Sequence, residues 1–209
     1  RDIAEDGSDL RRITNDQPVM HDDIVATLEA ANPFCHPTVI MRRDIVRQVG
    51  GYHAAYRHCE DYDLWLRLAP LAQMHNIPER LVLYRRTSNQ ITHRHITEMH
   101  YGACVARQAY RWRLAGAQDP TERLTELPPP ERLSDLFGSA DVGHAVAREF
   151  FTRTVYARDV MQGPHFEQLL AYVRNGVERT PHWRTVARLA FAMRDPVRAA
   201  RLGLALMGA

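Results

Sequence analysis

The stretch that decides the fold is Gly50-Gly51-Tyr52 together with the run His-Cys-Glu-Asp-Tyr-Asp-Leu-Trp-Leu-Arg-Leu from His58 to Leu68. A glycine-rich turn here leads into a segment with the apolar spacing of one helical face. The face consists of Leu64, Leu68 and Leu71, with Trp65, Ala69 and Ala72 on the adjoining strip. The spacing predicts a helix whose first turn carries two adjacent carboxylates, Glu60 and Asp61.

Asp61 allows two interpretations at such a position. Unpaired backbone N–H groups and the positive end of the helix dipole favour an ionised carboxylate there. Acidic residues are also common as simple caps of helix starts, and local chemistry alone favours a cap over a catalytic base.

Composition is typical of a soluble, cytoplasmic globular protein. Of the 209 residues, 45% are hydrophobic and 25% are charged, and no apolar run approaches the roughly 20 residues of a membrane span. The three cysteines are widely separated and form no paired metal or redox motif. All 27 basic residues are arginine, and the net charge of +2 is too small to indicate a nucleic-acid partner.

The chain is predicted to divide into an α/β part, residues 1–93, a helix with a proline-rich linker, residues 94–130, and an all-α region, residues 131–209. Val39 to Met41 and Leu81 to Tyr84 are the best strand candidates, and both are expected to join a mixed sheet. Helical patterns then run over His95 to Leu114, Val142 to Val160, Phe166 to Val177, Trp183 to Met193 and Val197 to Met207, with Gly-Pro, Thr-Pro and Asp-Pro pairs between the later ones.

Four pieces between Asn32 and Thr92 resemble, in order, the second half of the catalytic domain of family 2 glycosyltransferases. They are the run Asn-Pro-Phe-Cys-His-Pro-Thr-Val-Ile-Met-Arg-Arg from Asn32 to Arg43, the turn Val49 to Tyr52, the Glu60-Asp61 pair, and the run Ile77 to Arg85 with its Tyr-Arg ending. The resemblance implies a GT-A type fold, like that of nucleotide-diphospho-sugar transferases. It further implies an inverting glycosyltransferase (EC 2.4, hexosyltransferase-like) of bacterial cell-envelope polysaccharide biosynthesis.

The resemblance also implies roles for individual residues. Asp61 corresponds to the base that accepts a proton from the acceptor hydroxyl, and Glu60 would orient the acceptor or hold the loop. The expected substrate-binding residues are His36, Gly51, Tyr52, Tyr84, Arg85 and Arg86. A structural role stays open for several of these residues. It is a hydrogen-bonded histidine for His36 and an intradomain ion pair for Arg85 and Arg86. Tyr52 could serve in core packing, and so could Trp65, a second aromatic near the site in sequence.

The expected cofactor is a divalent metal, Mg²⁺ or Mn²⁺, held by an Asp-x-Asp motif in the family's nucleotide-binding half. That half is not recognisable here, so no metal ligand is assigned within this chain. Asp61-Tyr62-Asp63 fits Asp-x-Asp literally, but its place after Gly-Gly-Tyr matches the later carboxylate pair. We therefore expect a fragment of a longer transferase, inactive alone, whose substrates are a nucleotide-sugar donor and a saccharide or lipid-linked acceptor.

Several alternatives stay open or are disfavoured. A noncatalytic helical interaction module could retain a partial transferase domain, and a separate nucleotide-binding chain could complement this one. A metal-dependent hydrolase is disfavoured because His93, His95 and His100 share neither a helical nor a strand face.

Basic C-terminal helices with Arg184, Arg188, Arg194, Arg198 and Arg201 would allow peripheral contact with the inner face of a membrane, although solvated helix faces are the preferred interpretation.

Overall fold

The computed structural model describes residues 1–11, 17–87, 90, 95–154, 158–163, 165–174 and 180–208. The chain separates into two compact units. Unit 1 contains Arg1–His95 and Ala106–Leu127, and unit 2 contains Ile96–Val105 and Pro128–Ala209. No helix among these residues has both the length and the apolar character needed to cross a bilayer.

Unit 1 contains a small parallel sheet. Strand β1, Asp2–Ile3, pairs with β2, Tyr84–Arg85, with Asp2 opposite Tyr84 and Ile3 opposite Arg85. Asp2 is fully buried, and Arg86 donates from Nε to its Oδ2 at 2.9 Å. Parallel strands require a long crossover, and here the crossover carries the three shorter helices of unit 1.

The strand predictions were only partly right. β2 covers Tyr84–Arg85 rather than Leu81 to Tyr84, and Val39 to Met41 is extended chain without a strand partner, with Ile40 96% exposed. The segment before it forms a 3₁₀ turn, His36–Thr38. A strand exists only where a neighbour supplies its ladder hydrogen bonds, and none of the described residues pairs with Val39 to Met41. The predicted GT-A mixed sheet stays a prediction.

The helices of unit 1 are α1 (His21–Leu28), α2 (Arg43–Gln48), α3 (Glu60–Leu68) and the later part of α4 (Ile96–Leu114). The predicted start of α3 and the helix at His95 to Leu114 are confirmed. Tyr62 links three of these helices, because its hydroxyl donates to the Leu28 carbonyl and accepts from Arg107 at 3.0 Å. The core includes Ile24, Leu28, Tyr56, Leu64, Trp65 and Leu66.

Unit 2 is helical throughout its described part, as predicted for the tail. It begins with the first turns of α4 and a 3₁₀ turn at Pro130–Arg132. The helices that follow are α5 (Leu133–Phe137), α6 (Ala140–Thr154), α7 (Arg158–Gln162), α8 (His165–Arg174), α9 (Thr180–Ala187) and α10 (Pro196–Gly208). A π-helical segment, Arg188–Ala192, lies between α9 and α10. The predicted helix end at Val177 lies outside the described residues. Consecutive helices pack around Leu133, Phe150, Phe151, Phe166, Leu169 and Leu202.

Arg201 and Arg198 make ion pairs inside unit 2. Arg201 forms a bidentate pair with Glu167, both hydrogen bonds being 2.8 Å, and Arg198 pairs with Asp195 at 2.8 Å. These pairs agree with the preferred interpretation of ordinary solvated helix faces. Peripheral membrane contact stays a prediction.

Candidate active site around Asp61

The side chain of Asp61 lies at the second position of α3 and is 16% exposed. Cys59 is the N-cap and makes no side-chain cap hydrogen bond, so the interpretation of Asp61 as the N-cap residue is wrong. Its position in the first turn still places the carboxylate near the positive end of the helix dipole. The site therefore has a partly accessible anion at a helix start.

Asn32 fixes the orientation of this carboxylate. Its Nδ2 donates to Asp61 Oδ2 at 2.8 Å, while its Oδ1 accepts from the Phe34 backbone N–H at 3.0 Å. The amide is thus held at both ends, so that its oxygen and nitrogen have distinct roles. Asn32 begins the Asn-Pro run, but its contact with Asp61 was not predicted.

His36 and Tyr52 stand beside Asp61. His36 Nε2 and the Tyr52 hydroxyl are 2.9 Å apart, and His36 Nδ1 lies 4.0 Å from Asp61 Oδ2. Burial raises the pKa of Tyr52 above its ordinary value, and the charges of Asp61 and Glu60 raise it further. The His36 imidazole therefore lies between the Tyr52 phenol and the Asp61 carboxylate, and the raised pKa keeps the phenol protonated.

Aromatic rings form a wall of this site. Phe34 contacts Trp65 edge-on, with ring centroids 5.3 Å apart, and the His36 ring lies 6.1 Å from that of Trp65. Trp65 is 2% exposed, whereas Tyr52 is 47% exposed. Core packing is therefore the role that the structure gives Trp65, and Tyr52 is the aromatic that a ligand can reach.

An unpredicted ion pair supports the turn that carries Tyr52. Arg67 donates from Nε and Nη2 to Asp63 Oδ2 at 2.9 and 2.7 Å, and from Nη1 and Nη2 to the carbonyls of Val49 and Gly51 at 2.6 and 2.7 Å. Gly50 and Gly51 have φ values of +83° and +72°, a region that glycine occupies without steric cost. The signal that could have revealed this ion pair in the sequence is the spacing of four residues between Asp63 and Arg67 on a helix.

Asp63 and Asp61 do not form a metal-binding pair. Asp63 is 1% exposed, and none of the described residues hydrogen-bonds to its Oδ1. Burial raises its pKa, while Arg67 acts in the opposite direction. Because its other oxygen is held by Arg67, Asp63 is not available to pair with Asp61 around a divalent cation.

The other predicted site residues are placed as follows. Glu60 is the first residue of α3 and half-buried. Arg85 donates from Nη1 to the carbonyls of Ala4 and Glu5 at 3.2 and 2.7 Å, and the Arg86 guanidinium lies 4.7 Å from the Tyr84 ring centroid. The pairing of Arg86 with Asp2 is the intradomain ion pair expected as the alternative, and contact of these residues with a diphosphate stays a prediction.

The histidines considered for a hydrolase are placed as follows. His95 stacks on His58, with ring centroids 4.0 Å apart, and His93 lies outside the described residues. His100 belongs to unit 2. Cys35, beside His36, is exposed, whereas Cys59 and Cys104 are buried, and none of the three forms a disulfide within the described part of the chain.

Comparison with known proteins yields glycosyltransferases. The chain is 35% identical over 74 residues to a glycosyltransferase of Haemophilus influenzae. It is 37% identical over 68 residues to the O-antigen biosynthesis glycosyltransferase WbnJ of Escherichia coli, and 35% identical over 78 residues to the amylovoran biosynthesis glycosyltransferase AmsE of Erwinia amylovora. The matches cover 35%, 31% and 37% of this chain. These similarities support a glycosyltransferase.

The same matches cover only 23%, 26% and 29% of the relatives' own lengths. No family model matches the chain. No solved structure matches it either. The glycosyltransferase similarity therefore concerns a segment, and the activity, substrates and partners of the whole protein are matters for proposal.

Proposed function

We propose that this chain is the acceptor-side part of an inverting, family 2, GT-A type glycosyltransferase. It would transfer a sugar from a nucleotide-sugar donor to a saccharide or lipid-linked acceptor. The observation that carries the proposal is the Asp61 carboxylate, held by Asn32, flanked by His36 and partly open to solvent, in a chain similar to glycosyltransferases. The biosynthetic names of two relatives, for O-antigen and amylovoran, favour an acceptor in cell-surface polysaccharide synthesis.

The reaction needs a base because an acceptor hydroxyl is a weak nucleophile at neutral pH. In the proposed step the hydroxyl oxygen forms a bond to the anomeric carbon of the donor. The bond from that carbon to the diphosphate oxygen breaks, and the diphosphate leaves with the electron pair. The hydroxyl proton passes to Asp61 Oδ2, and attack opposite the leaving group inverts the anomeric configuration.

Asp61 and Asp63 do not offer a fitting ligand pair for the divalent metal expected for such enzymes, because Asp63 is buried against Arg67. We therefore derive no step through a metal from these residues. Mg²⁺ or Mn²⁺ bound by an Asp-x-Asp motif elsewhere in a longer polypeptide stays part of the proposal. Cytoplasmic location stays part of it as well.

The test compares Asp61→Asn with Asp44→Asn in the longest natural polypeptide that contains this chain. Asp44 is an exposed first-turn carboxylate of α2, so its substitution controls for loss of a helix-dipole interaction. A panel of nucleotide sugars with Mn²⁺ and candidate saccharide acceptors serves as the assay. We expect Asp61→Asn to lower turnover by about 10²- to 10⁴-fold and Asp44→Asn to leave it nearly unchanged.

Comparable turnover in the two variants would show that Asp61 is not the base. The alternative function, a noncatalytic module that retains a partial transferase domain, predicts no sugar transfer with any donor. Activity that appears only after a second, nucleotide-binding chain is added would identify a complemented enzyme.

A further inference from the structure

The distance between His36 Nδ1 and Asp61 Oδ2 matches the span that one hydroxyl group can bridge. Nδ1 and Oδ2 are 4.0 Å apart, which is too far for a direct N–H···O hydrogen bond. An oxygen atom about 2.8 Å from both would complete two ordinary hydrogen bonds, with an angle of about 90° at that oxygen. A hydroxyl can do this, because it both donates and accepts.

The contacts of His36 favour one of its two neutral tautomers. A neutral imidazole has one N–H and one lone pair. The negative charge of Asp61 faces Nδ1, which favours the proton there and leaves the lone pair on Nε2. The Tyr52 hydroxyl is 2.9 Å from Nε2. With the lone pair on Nε2 the phenol donates to it, because burial and the nearby carboxylates keep the phenol protonated.

We propose that His36 Nδ1–H and Asp61 Oδ2 together bind the attacking hydroxyl of the acceptor, with Tyr52 as the positioning residue that sets the His36 tautomer. The proposal rests on the proposed function. The hydroxyl donates its proton toward Asp61 and accepts from His36, which leaves a lone pair of its oxygen to attack the donor sugar.

This arrangement selects the chemical class of the acceptor. An ammonium group carries only donors, so it cannot accept from His36 Nδ1–H. The pair therefore favours alcohol acceptors over protonated amines of similar shape. His36 acts in recognition, while Asp61 alone takes the proton.

The first test is a long-range ¹H–¹⁵N correlation spectrum of the ¹⁵N-labelled 209-residue chain at about pH 8.5, where imidazoles are neutral. The His36 signals are assigned by their loss in His36→Gln. We expect the Nδ1–H tautomer in the native chain and a shift toward Nε2–H in Tyr52→Phe. Tyr101→Phe, which removes a phenol that donates to the Pro128 carbonyl in unit 2, serves as the control and should change nothing at His36.

An Nε2–H tautomer in the native chain, or a tautomer that Tyr52→Phe leaves unchanged, would overturn the proposal. This measurement needs no activity, so it judges the tautomer even if sugar transfer is never found. Absence of transfer with every donor would instead count against the proposed function.

The second test uses the donor and acceptor identified by the activity assay. Losing the tautomer preference removes about one hydrogen bond to the acceptor, so Tyr52→Phe should raise the acceptor KM about three- to tenfold and leave the donor KM unchanged. A parallel rise of both constants would indicate general damage to the site and would contradict the proposal. An unchanged acceptor KM would contradict it as well.

Discussion

Removal of the Arg67 guanidinium should strongly destabilise unit 1. Arg67→Met leaves the 1% exposed Asp63 side chain without its cation and leaves the Val49 and Gly51 carbonyls without their donors. Breaking a buried ion pair by removing one partner costs about 3–5 kcal/mol. We therefore expect the free energy of unfolding to fall by about that amount.

The assay is urea unfolding at pH 7 followed by tryptophan fluorescence, because Trp65 is buried in α3, the helix that carries this pair. Arg47→Met, an exposed arginine of α2, is the matched control and should change the free energy by less than about 0.5 kcal/mol. In Asp63→Asn/Arg67→Met the uncompensated charge is gone, so the double variant should recover part of the loss. A single-variant loss below about 1 kcal/mol, or a double variant no more stable than Arg67→Met, would refute the reasoning.

Two further predictions concern the same part of unit 1. Gly51→Ala should destabilise the chain by about 1–2 kcal/mol in urea unfolding, because φ at Gly51 is +72° while no atom lies within 4 Å of the added Cβ. The control is Gly208→Ala, in a helix with equally open space. Equal losses of stability in the two variants would contradict the conformational explanation. The pKa of Asp63 in the folded chain is raised above 3.8. As pH rises, the unfolded chain therefore releases the Asp63 proton at a lower pH than the folded chain does. The free energy of unfolding should fall as pH rises from 3.8 through the pKa of Asp63 in the folded chain. Asp63→Asn should remove that component, and identical pH profiles of the native and variant chains would count against a raised pKa.

The helices were predictable because their signals are local. Apolar spacing marked α3 and α4, and proline-containing breaks separated the helices of the tail. The strands were less predictable, since Tyr84 pairs with Asp2, a partner that no local pattern reveals. Val39 to Met41 has strand-forming residues, yet intrinsic preference does not produce a strand without a neighbour.

Three residues of the candidate site could be named in advance, but their contacts could not. Asp61, His36 and Tyr52 were named from the sequence, and the structure brings them together. The hydrogen bond from Asn32 joins residues 29 positions apart, so it depends on how the chain folds back. Arg67 was missed although it lies four residues after Asp63, because a helical Asp-Arg pair is usually an ordinary surface feature.

The exposed thiol of Cys35 gives the site a built-in attachment point for a chemical probe. The other two cysteine thiols of the chain are buried, so a maleimide dye applied to the native protein should modify Cys35 alone. Its neighbour in sequence is His36, and a fluorophore there would sense changes around the imidazole. Saccharide binding could then be followed optically even while the donor sugar is unidentified.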